Sequence, residues 1–222
     1  MSISMTKGYS EQTAGAKLCI DLAIDWGQEC IESLNYEKNF TLMDYGAADG
    51  GTAYDFWKKI ISKLIDKNEN SQISLIGNDL YSNDNQALIN NLSPHSNNNE
   101  LVSTLVCAGS FYDQLVPSEL IDFGFSATAM HWLNKKVQGL TDHTHVLASS
   151  NKTAKNDFLE QALLDWNQIL EIRSKELKVG GKLLTVNLSR DKENRYLGNN
   201  GGKTLNVHDE IHSIWKELLN EK

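Results

Sequence analysis

The chain has 222 residues, of which 40% are hydrophobic, and it carries a formal net charge of −8 at pH 7. This length suits one domain, or two at most, and supplies enough apolar residues for a sizeable core. The acidic balance argues against a general nucleic-acid or anionic-membrane binder, because neither surface attracts such a chain by charge, so we expect no nucleic-acid and no membrane partner.

The cysteines favour a reducing compartment. Cys19, Cys30 and Cys107 fall in three separate predicted elements and form no CxxC pair, which fits neither a disulfide framework nor a zinc site. The N-terminus shows no basic-then-apolar signal region, and no apolar run approaches the length of a membrane span. We therefore expect a soluble, cytoplasmic protein, and we interpret His143 and His145 as loop surface rather than as metal ligands.

The N-terminal segment predicts one long helix, from Ser10 to about Leu34. Ser10 is a candidate N-cap residue. Apolar side chains recur at intervals of four residues, which is close to the spacing of one helix face. They are Leu18, Leu22, Trp26 and Cys30.

A βαβ unit follows, with a strand at 40–45, a turn of small residues, a helix over 52–67 and a strand at 73–76. The crossover is long enough to make the two strands parallel. The turn reads GAADGG, and its glycines let a ligand approach the backbone closely. Free N–H groups at the start of the following helix favour a polar or charged ligand.

Three interpretations of this turn compete. A dinucleotide fingerprint requires G-x-G-x-x-G, but Ala48 stands at the second glycine position, which weakens an NAD site. The pattern D-x-G-x-A-x-G, from Asp44 to Gly50, instead resembles the first motif of S-adenosylmethionine (SAM) methyltransferases. A βα turn that binds nothing is the third interpretation.

Strands and helices continue to alternate towards the C-terminus. We predict helices over 85–92, over 154–178 up to a double glycine, and through Ile211, Trp215 and Leu218, with strands at 101–107, 121–127 and 182–188. This alternation predicts an α/β fold, a doubly wound and mostly parallel sheet with helices on both faces. Ligands of such sheets bind at the carboxyl ends of the strands, where Asp44, Asp79, Ser110 and 128–132 each follow a predicted strand.

Several phrases together resemble one family, the SABATH carboxyl methyltransferases, which use SAM to methylate small acids such as salicylate, jasmonate and benzoate. The matching phrases are GY at 8–9, MDYGAADG at 43–50, NDLYSND at 78–84, GSFYDQLVP at 109–117, SATAMHWLNK at 126–135 and RSKELKVGGKLLT at 173–185. Their order and spacing agree with the family over nearly the whole chain. The resemblance implies a Rossmann-like class I methyltransferase fold and SAM as the cofactor.

The resemblance also implies roles for individual residues. Asp44 and Gly46 fall in the motif at the methionine end of SAM, Asp79 and Leu80 match the pair at the ribose and adenine, and Ser110 and Phe111 match the pair around the adenine. Tyr9 and Thr13 fall in the N-terminal stretch that helps to hold the cofactor. The substrate would be bordered by Thr128, His131 and Trp132. Without the family context, Asp79 is interpreted as a helix N-cap or an Asx-turn residue in a polar loop, and the His-Trp pair as packing.

This chain departs from the family at three points. Ala16 stands where the family usually has a glutamine, and Thr128 stands where many members have an aromatic residue, so the acid pocket is expected to differ. Family members also continue well beyond 222 residues to supply the last strands and a helical cap. We therefore expect a single SAM-binding domain over 1–222, with the helix at about 10–34 covering the cofactor site and the cap absent.

The implied reaction is SN2 transfer of a methyl group from the SAM sulfonium to a carboxylate oxygen. A carboxylic acid is already ionised at neutral pH, because its pKa is about 4, so no general base, no catalytic side chain and no metal is expected. The alternatives are a non-catalytic or fragmentary SAM-binding domain that lacks the cap, and a dehydrogenase, which Ala48 counts against. A partner subunit or the mate in a homodimer could cover the crevice.

Overall fold

The computed structural model describes residues 5, 8–35, 38–97, 99–137, 140–189, 191–192 and 207–220. The chain forms two compact units, one of residues 1–130 and 168–187 and one of residues 131–167 and 188–222. The single domain expected over the whole chain stays a prediction. The glycine- and asparagine-rich stretch at 198–202 lies outside the described residues.

Five strands form one sheet in the first unit. They are β1 Asn39–Tyr45, β2 Gln72–Asp79, β3 Val102–Ala108, β4 Ile121–Ala127 and β5 Leu177–Val186. Their order is β3-β2-β1-β4-β5, and every neighbouring pair is parallel. The predicted α/β class is confirmed, and β4 has the predicted bounds.

Seven helices accompany the sheet in the described part of the chain. They are α1 Tyr9–Gln12, α2 Ala14–Asp21, α3 Ile24–Ser33, α4 Tyr54–Lys67, α5 Asn85–Leu92, α6 Lys152–Glu176 and α7 Val207–Asn220, with short 3-10 turns at Ser93–His95 and Val146–Ala148. The prediction for α5 is confirmed at both ends. Its first turn is capped by Asp84, whose carboxylate accepts a hydrogen bond from the Ala87 N–H at 3.1 Å.

The prediction of one N-terminal helix is wrong. Three short helices replace it, the first break lying at Thr13, whose φ of −119° and ψ of 58° are not helical. Ser10 lies inside α1 and caps nothing, since Gly8 is the N-cap residue. The predicted apolar face is largely exposed: the exposed fractions of Leu18, Leu22 and Trp26 are 60%, 69% and 59%.

A different face of these helices is buried. Its members are Ile20, Ala23, Gly27, Ile31 and Leu34. The packing is closest at Gly27, where an added Cβ would lie 2.8 Å from the Ile60 side chain of α4. The two small residues Ala23 and Gly27 belong to the face because they let α3 approach α4.

The predicted end of the long helix is also wrong. α6 ends at Glu176, and the double glycine at 180–181 lies within β5 instead of capping the helix. Leu177 pairs with Ile121 and Lys182 with Phe123, so β5 carries extra residues at this point. Gly180 adopts a φ of +85°, a conformation that favours glycine, which explains its place in the bulge.

The second unit contains an unexpected histidine cluster. The His143 ring stacks on His212 of α7 with centroids 4.1 Å apart, and the His145 ring stacks on His208 at 3.6 Å. His143 and His145 were predicted as loop surface, but they pack against a helix. Across the described residues, no group of three or more His, Cys, Asp or Glu side chains is arranged to hold a metal ion.

Candidate cofactor site

The small-residue turn after β1 requires glycine at two positions. Gly46 and Gly50 have φ values of +76° and +78°, which glycine adopts without strain. An added Cβ on Gly46 would lie 2.3 Å from the Cβ of Ala129, so the segment after β4 packs directly on the turn. Ala48 also has a positive φ, of 52°, which is uncommon for a residue with a side chain.

Asp79 is the last residue of β2, and its carboxylate is fixed against this turn. One oxygen, Oδ2, accepts a hydrogen bond from the Ala48 N–H at 2.7 Å, and Oδ1 accepts one from the Leu80 N–H at 2.7 Å. Burial raises the pKa of Asp79, while these two hydrogen bonds oppose that rise. Each oxygen keeps a further lone pair, so the carboxylate can still accept hydroxyl groups of a ligand.

Asp44 lies deeper, at the end of β1. Its side chain is 3% exposed, and the Trp57 Nε1–H of α4 donates a hydrogen bond to its Oδ2 at 2.8 Å. Burial raises the pKa of Asp44 to about 7, the Trp57 hydrogen bond acts against that rise, and the charge of Asp79 adds to it. Asp44 therefore changes its protonation state near neutral pH.

The loop after β3 brings an aromatic ring to the same turn. The Phe111 Cε1 atom lies 3.9 Å from the position of an added Cβ on Gly46. Ser110 Oγ accepts a hydrogen bond from the Tyr112 N–H at 3.2 Å, which shapes the loop. The buried Asn78 side chain donates to the carbonyl of Gly109 at 3.0 Å, tying the start of the loop to β2.

The N-terminal helix α1 is attached to the turn through Asp49, a residue for which no role was predicted. The N–H and the Oγ of Ser10 both donate to Asp49 Oδ2 at 3.0 Å, and the Gly51 N–H donates to Oδ1 at 3.1 Å. Tyr9 lies on α1, and Thr13 Oγ1 donates to the Tyr9 carbonyl at 2.7 Å. The sequence contains a signal for this contact, since Asp49 is an acidic residue in a turn that otherwise consists of small residues.

The predicted substrate residues divide between the two units. Thr128 belongs to the first unit, has a φ of 50°, and donates its N–H to the Val186 carbonyl at 2.8 Å. His131 and Trp132 belong to the second unit, where their exposed rings stack with centroids 5.6 Å apart. The first unit therefore groups Asp44, Gly46, Asp79, Leu80, Phe111 and Thr128 around the carboxyl ends of the strands, with α1 attached beside them.

The model of one protein family, described as SAM dependent carboxyl methyltransferase, matches residues 6–222. The chain belongs to this family. The predicted resemblance is thereby confirmed, and so, for the family, is SAM as the cofactor. Among the described residues, no helix is both long and apolar enough to cross a membrane.

Curated relatives within the family act at different atoms. The chain is 27% identical to 3,7-dimethylxanthine N-methyltransferase 2 of Coffea arabica, with 75% of this chain and 51% of that protein covered. It is 27% identical to indole-3-acetate O-methyltransferase 1 of Arabidopsis thaliana, with 87% and 57% covered. It is 25% identical to loganic acid O-methyltransferase of Catharanthus roseus, with 79% and 52% covered. The chain spans about half the length of these relatives.

A solved structure supports the fold. The structure of loganic acid methyltransferase with SAH superposes with a TM-score of 0.81 at 21% sequence identity, covering 99% of this chain and 67% of that one. The predicted class I methyltransferase fold is confirmed by this match.

Proposed function

We propose that this protein transfers the methyl group of SAM to a carboxylate oxygen of a small organic acid. The observation that carries the proposal is the contact between Asp79 and Ala48 N, because it fixes a carboxylate beside a glycine turn at the ends of two neighbouring strands. Ligands of doubly wound sheets bind at such a place. Two relatives are named for the acids that they methylate, indole-3-acetate and loganic acid.

In the proposed complex, the Asp79 carboxylate accepts hydrogen bonds from the ribose hydroxyls. Leu80 and Phe111 flank the adenine, and Ser110 lies at its edge. Gly46 gives the methionine part close access to the backbone, with Asp44 behind it, and α1 supplies Tyr9 and Thr13. Support comes from the grouping of these side chains around one turn and from their match to the family motifs.

The reaction forms an O–CH₃ bond as the S–CH₃ bond breaks, and the products are a methyl ester and uncharged SAH. The acid enters as its carboxylate, so no side chain needs to remove a proton. The protein contributes by holding the oxygen in line with the methyl group and by excluding water. Thr128, His131 and Trp132 are the residues proposed to orient the acid, and the Trp132 N–H is a suitable donor to it.

The second candidate function is methyl transfer to a ring nitrogen, because one relative is named as an N-methyltransferase of a xanthine. A third is SAM binding without transfer. We further propose that the protein works in the cytoplasm and that it needs no nucleic acid. A homodimer is proposed as one way to cover the bound acceptor, with the second subunit over the crevice. The free cysteines support the reducing compartment.

Calorimetric titration with SAM tests the cofactor site. Asp79→Ala should weaken binding at least about tenfold, since hydrogen bonds to a charged group contribute about 1.5–3 kcal/mol each. Asp84→Ala is the matched control, because it removes a carboxylate that only caps α5. Equal affinities in the wild type and Asp79→Ala would remove Asp79 from the site, and micromolar binding of NADH would contradict the cofactor assignment.

Radiolabelled methyl transfer from SAM tests the acceptor. A panel of small aromatic and aliphatic acids, with xanthines included, should yield labelled esters from the acids. Labelled xanthine without labelled ester would favour the second candidate, and tight SAM binding without any transfer would favour the third.

A further inference from the structure

Two charged residues of the first unit are completely buried, and the proposed reaction leaves them without a role. Arg173 and Glu176 lie one helical turn apart at the end of α6, and both side chains are 0% exposed. Burial of a charge is costly unless it is paired and hydrogen-bonded, so the surroundings of such a pair indicate what it holds in place.

The Arg173 side chain forms hydrogen bonds with the loop that follows β3. Its Nη1 donates to the carbonyl of Phe111 at 2.7 Å, and its Nη2 donates to the carbonyl of Asp113 at 2.8 Å. Its Nε lies 2.8 Å from Glu176 Oε2. A planar guanidinium can serve these three partners at once, which an ammonium group cannot do in the same geometry.

Glu176 holds the other half of the same loop. Its Oε1 accepts hydrogen bonds from the N–H groups of Leu115 at 2.5 Å and Val116 at 3.3 Å. The ion pair therefore binds four backbone groups between Phe111 and Val116. One of these groups is the carbonyl of Phe111, the residue whose ring lies beside Gly46.

The pair also reaches the glycine turn through Tyr45, the residue before Gly46. The Tyr45 hydroxyl donates to Glu176 Oε2 at 2.8 Å, and the Arg173 guanidinium lies 4.5 Å from the centre of the Tyr45 ring. Burial, with the charge of Glu176 adding to it, raises the pKa of Tyr45 far above its usual range, so the hydroxyl stays a donor. Gly124 leaves room for this ring, since an added Cβ would lie 2.9 Å from Tyr45 Cε2.

We propose that Arg173 and Glu176 are positioning residues for cofactor binding, which set the distance between the loop carrying Ser110 and Phe111 and the turn carrying Gly46. The inference rests on the proposed function, because it assigns the loop to the adenine of SAM. Two walls of the adenosyl site are then joined below the site by one buried ion pair, and neither charged group touches the cofactor.

The test uses the full chain and two conservative variants. Arg173→Lys keeps the positive charge but loses the fork that reaches both carbonyls, and Glu176→Gln keeps the size of the side chain but removes its charge. Calorimetric titration with SAM should show at least about tenfold weaker binding for Arg173→Lys. Hydrogen exchange should rise in residues 109–117 and remain at the wild-type level in β1 and β2.

The matched control is Lys178→Met, which removes another ion pair of the same unit, to Asp122 at 2.9 Å. It should leave both SAM affinity and the exchange of residues 109–117 unchanged. A double-mutant comparison adds a readout that general destabilisation does not move. Arg173→Lys should weaken binding much less in a Phe111→Ala background than in the wild type, but by the full factor in an Asp79→Ala background.

The outcomes separate the two proposals. If the wild type binds no SAM, the proposed function fails and this inference fails with it. If the wild type binds SAM and both conservative variants bind it equally well, only the inference is overturned. It is also overturned if exchange rises across the whole sheet, since the pair then stabilises the unit without acting on the loop. Should Arg173→Lys not fold, Glu176→Gln decides by the same measurements.

Discussion

The Trp57 indole donates a 2.8 Å hydrogen bond to the carboxylate of Asp44, and this contact joins α4 to the end of β1. Trp57 and Asp44 are both buried. The donor favours the charged carboxylate, but burial outweighs it, and the pKa of Asp44 rises to about 7. A carboxyl group beside the proposed cofactor site thus titrates far above the usual range of a carboxylic acid.

SAM affinity should therefore depend on pH. The sulfonium of SAM is positive and should stabilise the Asp44 carboxylate, so binding should release a proton and tighten as pH rises from 6 to 8. The gain should be up to about tenfold if SAM lowers the pKa by about one unit. Calorimetry in buffers of different ionisation enthalpy would count the protons released.

SAH is the matched ligand for this measurement, because it lacks the positive charge. Its affinity should change much less over the same range, and Asp44→Asn should flatten the pH dependence for SAM. Parallel curves for SAM and SAH would contradict the prediction. For the unbound protein the sign is opposite. The pKa of Asp44 rises on folding from its ordinary value of 3.8 to about 7, so its contribution to stability is fully present below about pH 3.8 and is lost as the pH rises from there through about 7.

Asp49 should control how α1 covers the turn. Asp49→Ala removes the acceptor of both Ser10 hydrogen bonds, whereas Ser10→Ala removes only the Oγ donor and leaves the backbone one. We expect SAM affinity to fall about tenfold or more in Asp49→Ala and only a few-fold in Ser10→Ala, since hydrogen bonds to a charged acceptor contribute about 1.5–3 kcal/mol. Limited proteolysis near Tyr9 should speed up in the same order. Equal losses in the two variants would show that Asp49 acts in another way.

Local signals predicted the sheet well. The alternation of strands and helices predicted β4 and α5 with their observed bounds, and the small residues after β1 predicted the turn in which Gly46 and Gly50 have positive φ values. Turns and strands are determined largely by residues that are close together in the sequence, so both can be predicted without a structure.

The prediction for the N-terminal segment failed because the apolar run chosen from the sequence is not the buried face. Leu18, Leu22 and Trp26 are all more than half exposed, and the run crosses the break between α2 and α3. The buried face instead runs from Ile20 to Leu34 at spacings of three and four residues. It was overlooked because two of its members, Ala23 and Gly27, are small and do not stand out as apolar positions in the sequence.

The buried ion pair could not be predicted from local pattern. Arg173 and Glu176 stand in one of the phrases that resemble the family, but no role was predicted for either charge, and their partners Phe111 and Leu115 lie about sixty residues away in sequence. Only the fold brings these groups together. The histidine cluster was missed for the same reason, because α7 follows its partners by more than sixty residues.

From the histidine pairs we expect that α7 loses its contact with His143 and His145 at acid pH. Burial, together with the charges of nearby His208 and His143, lowers the pKa of His145 to about 4, and burial also lowers the pKa of His208. A lowered histidine pKa means that the unfolded state binds protons more readily, so the contact weakens as pH falls from about 6.5 towards 4. Other charged groups face the cluster. They are Asp142, Asp209 and Lys216.

NMR of the amides in Val207–Asn220 should show this transition between pH 7 and 4.5. His145→Phe is the control, because a phenyl ring can still stack but does not titrate, and it should reduce the transition. An unchanged transition in this variant would move its cause to another group, and amide shifts that stay constant over the range would contradict the prediction.

Replacing Trp132 should weaken binding of the acid without changing the affinity for the cofactor. In the proposed complex its N–H donates to the substrate carboxylate, so Trp132→Ala should raise the KM for the acid about tenfold while the SAM affinity stays at the wild-type value. Trp215 of α7 is the matched control, since its exposed fraction of 52% is close to the 58% of Trp132. Trp215→Ala should leave both constants unchanged. The measurement is the initial rate of radiolabelled methyl transfer at saturating SAM, with the acid varied. If Trp132→Ala and Trp215→Ala give the same KM, the acid binds elsewhere; if Trp132→Ala weakens SAM binding instead, Trp132 belongs to the cofactor site.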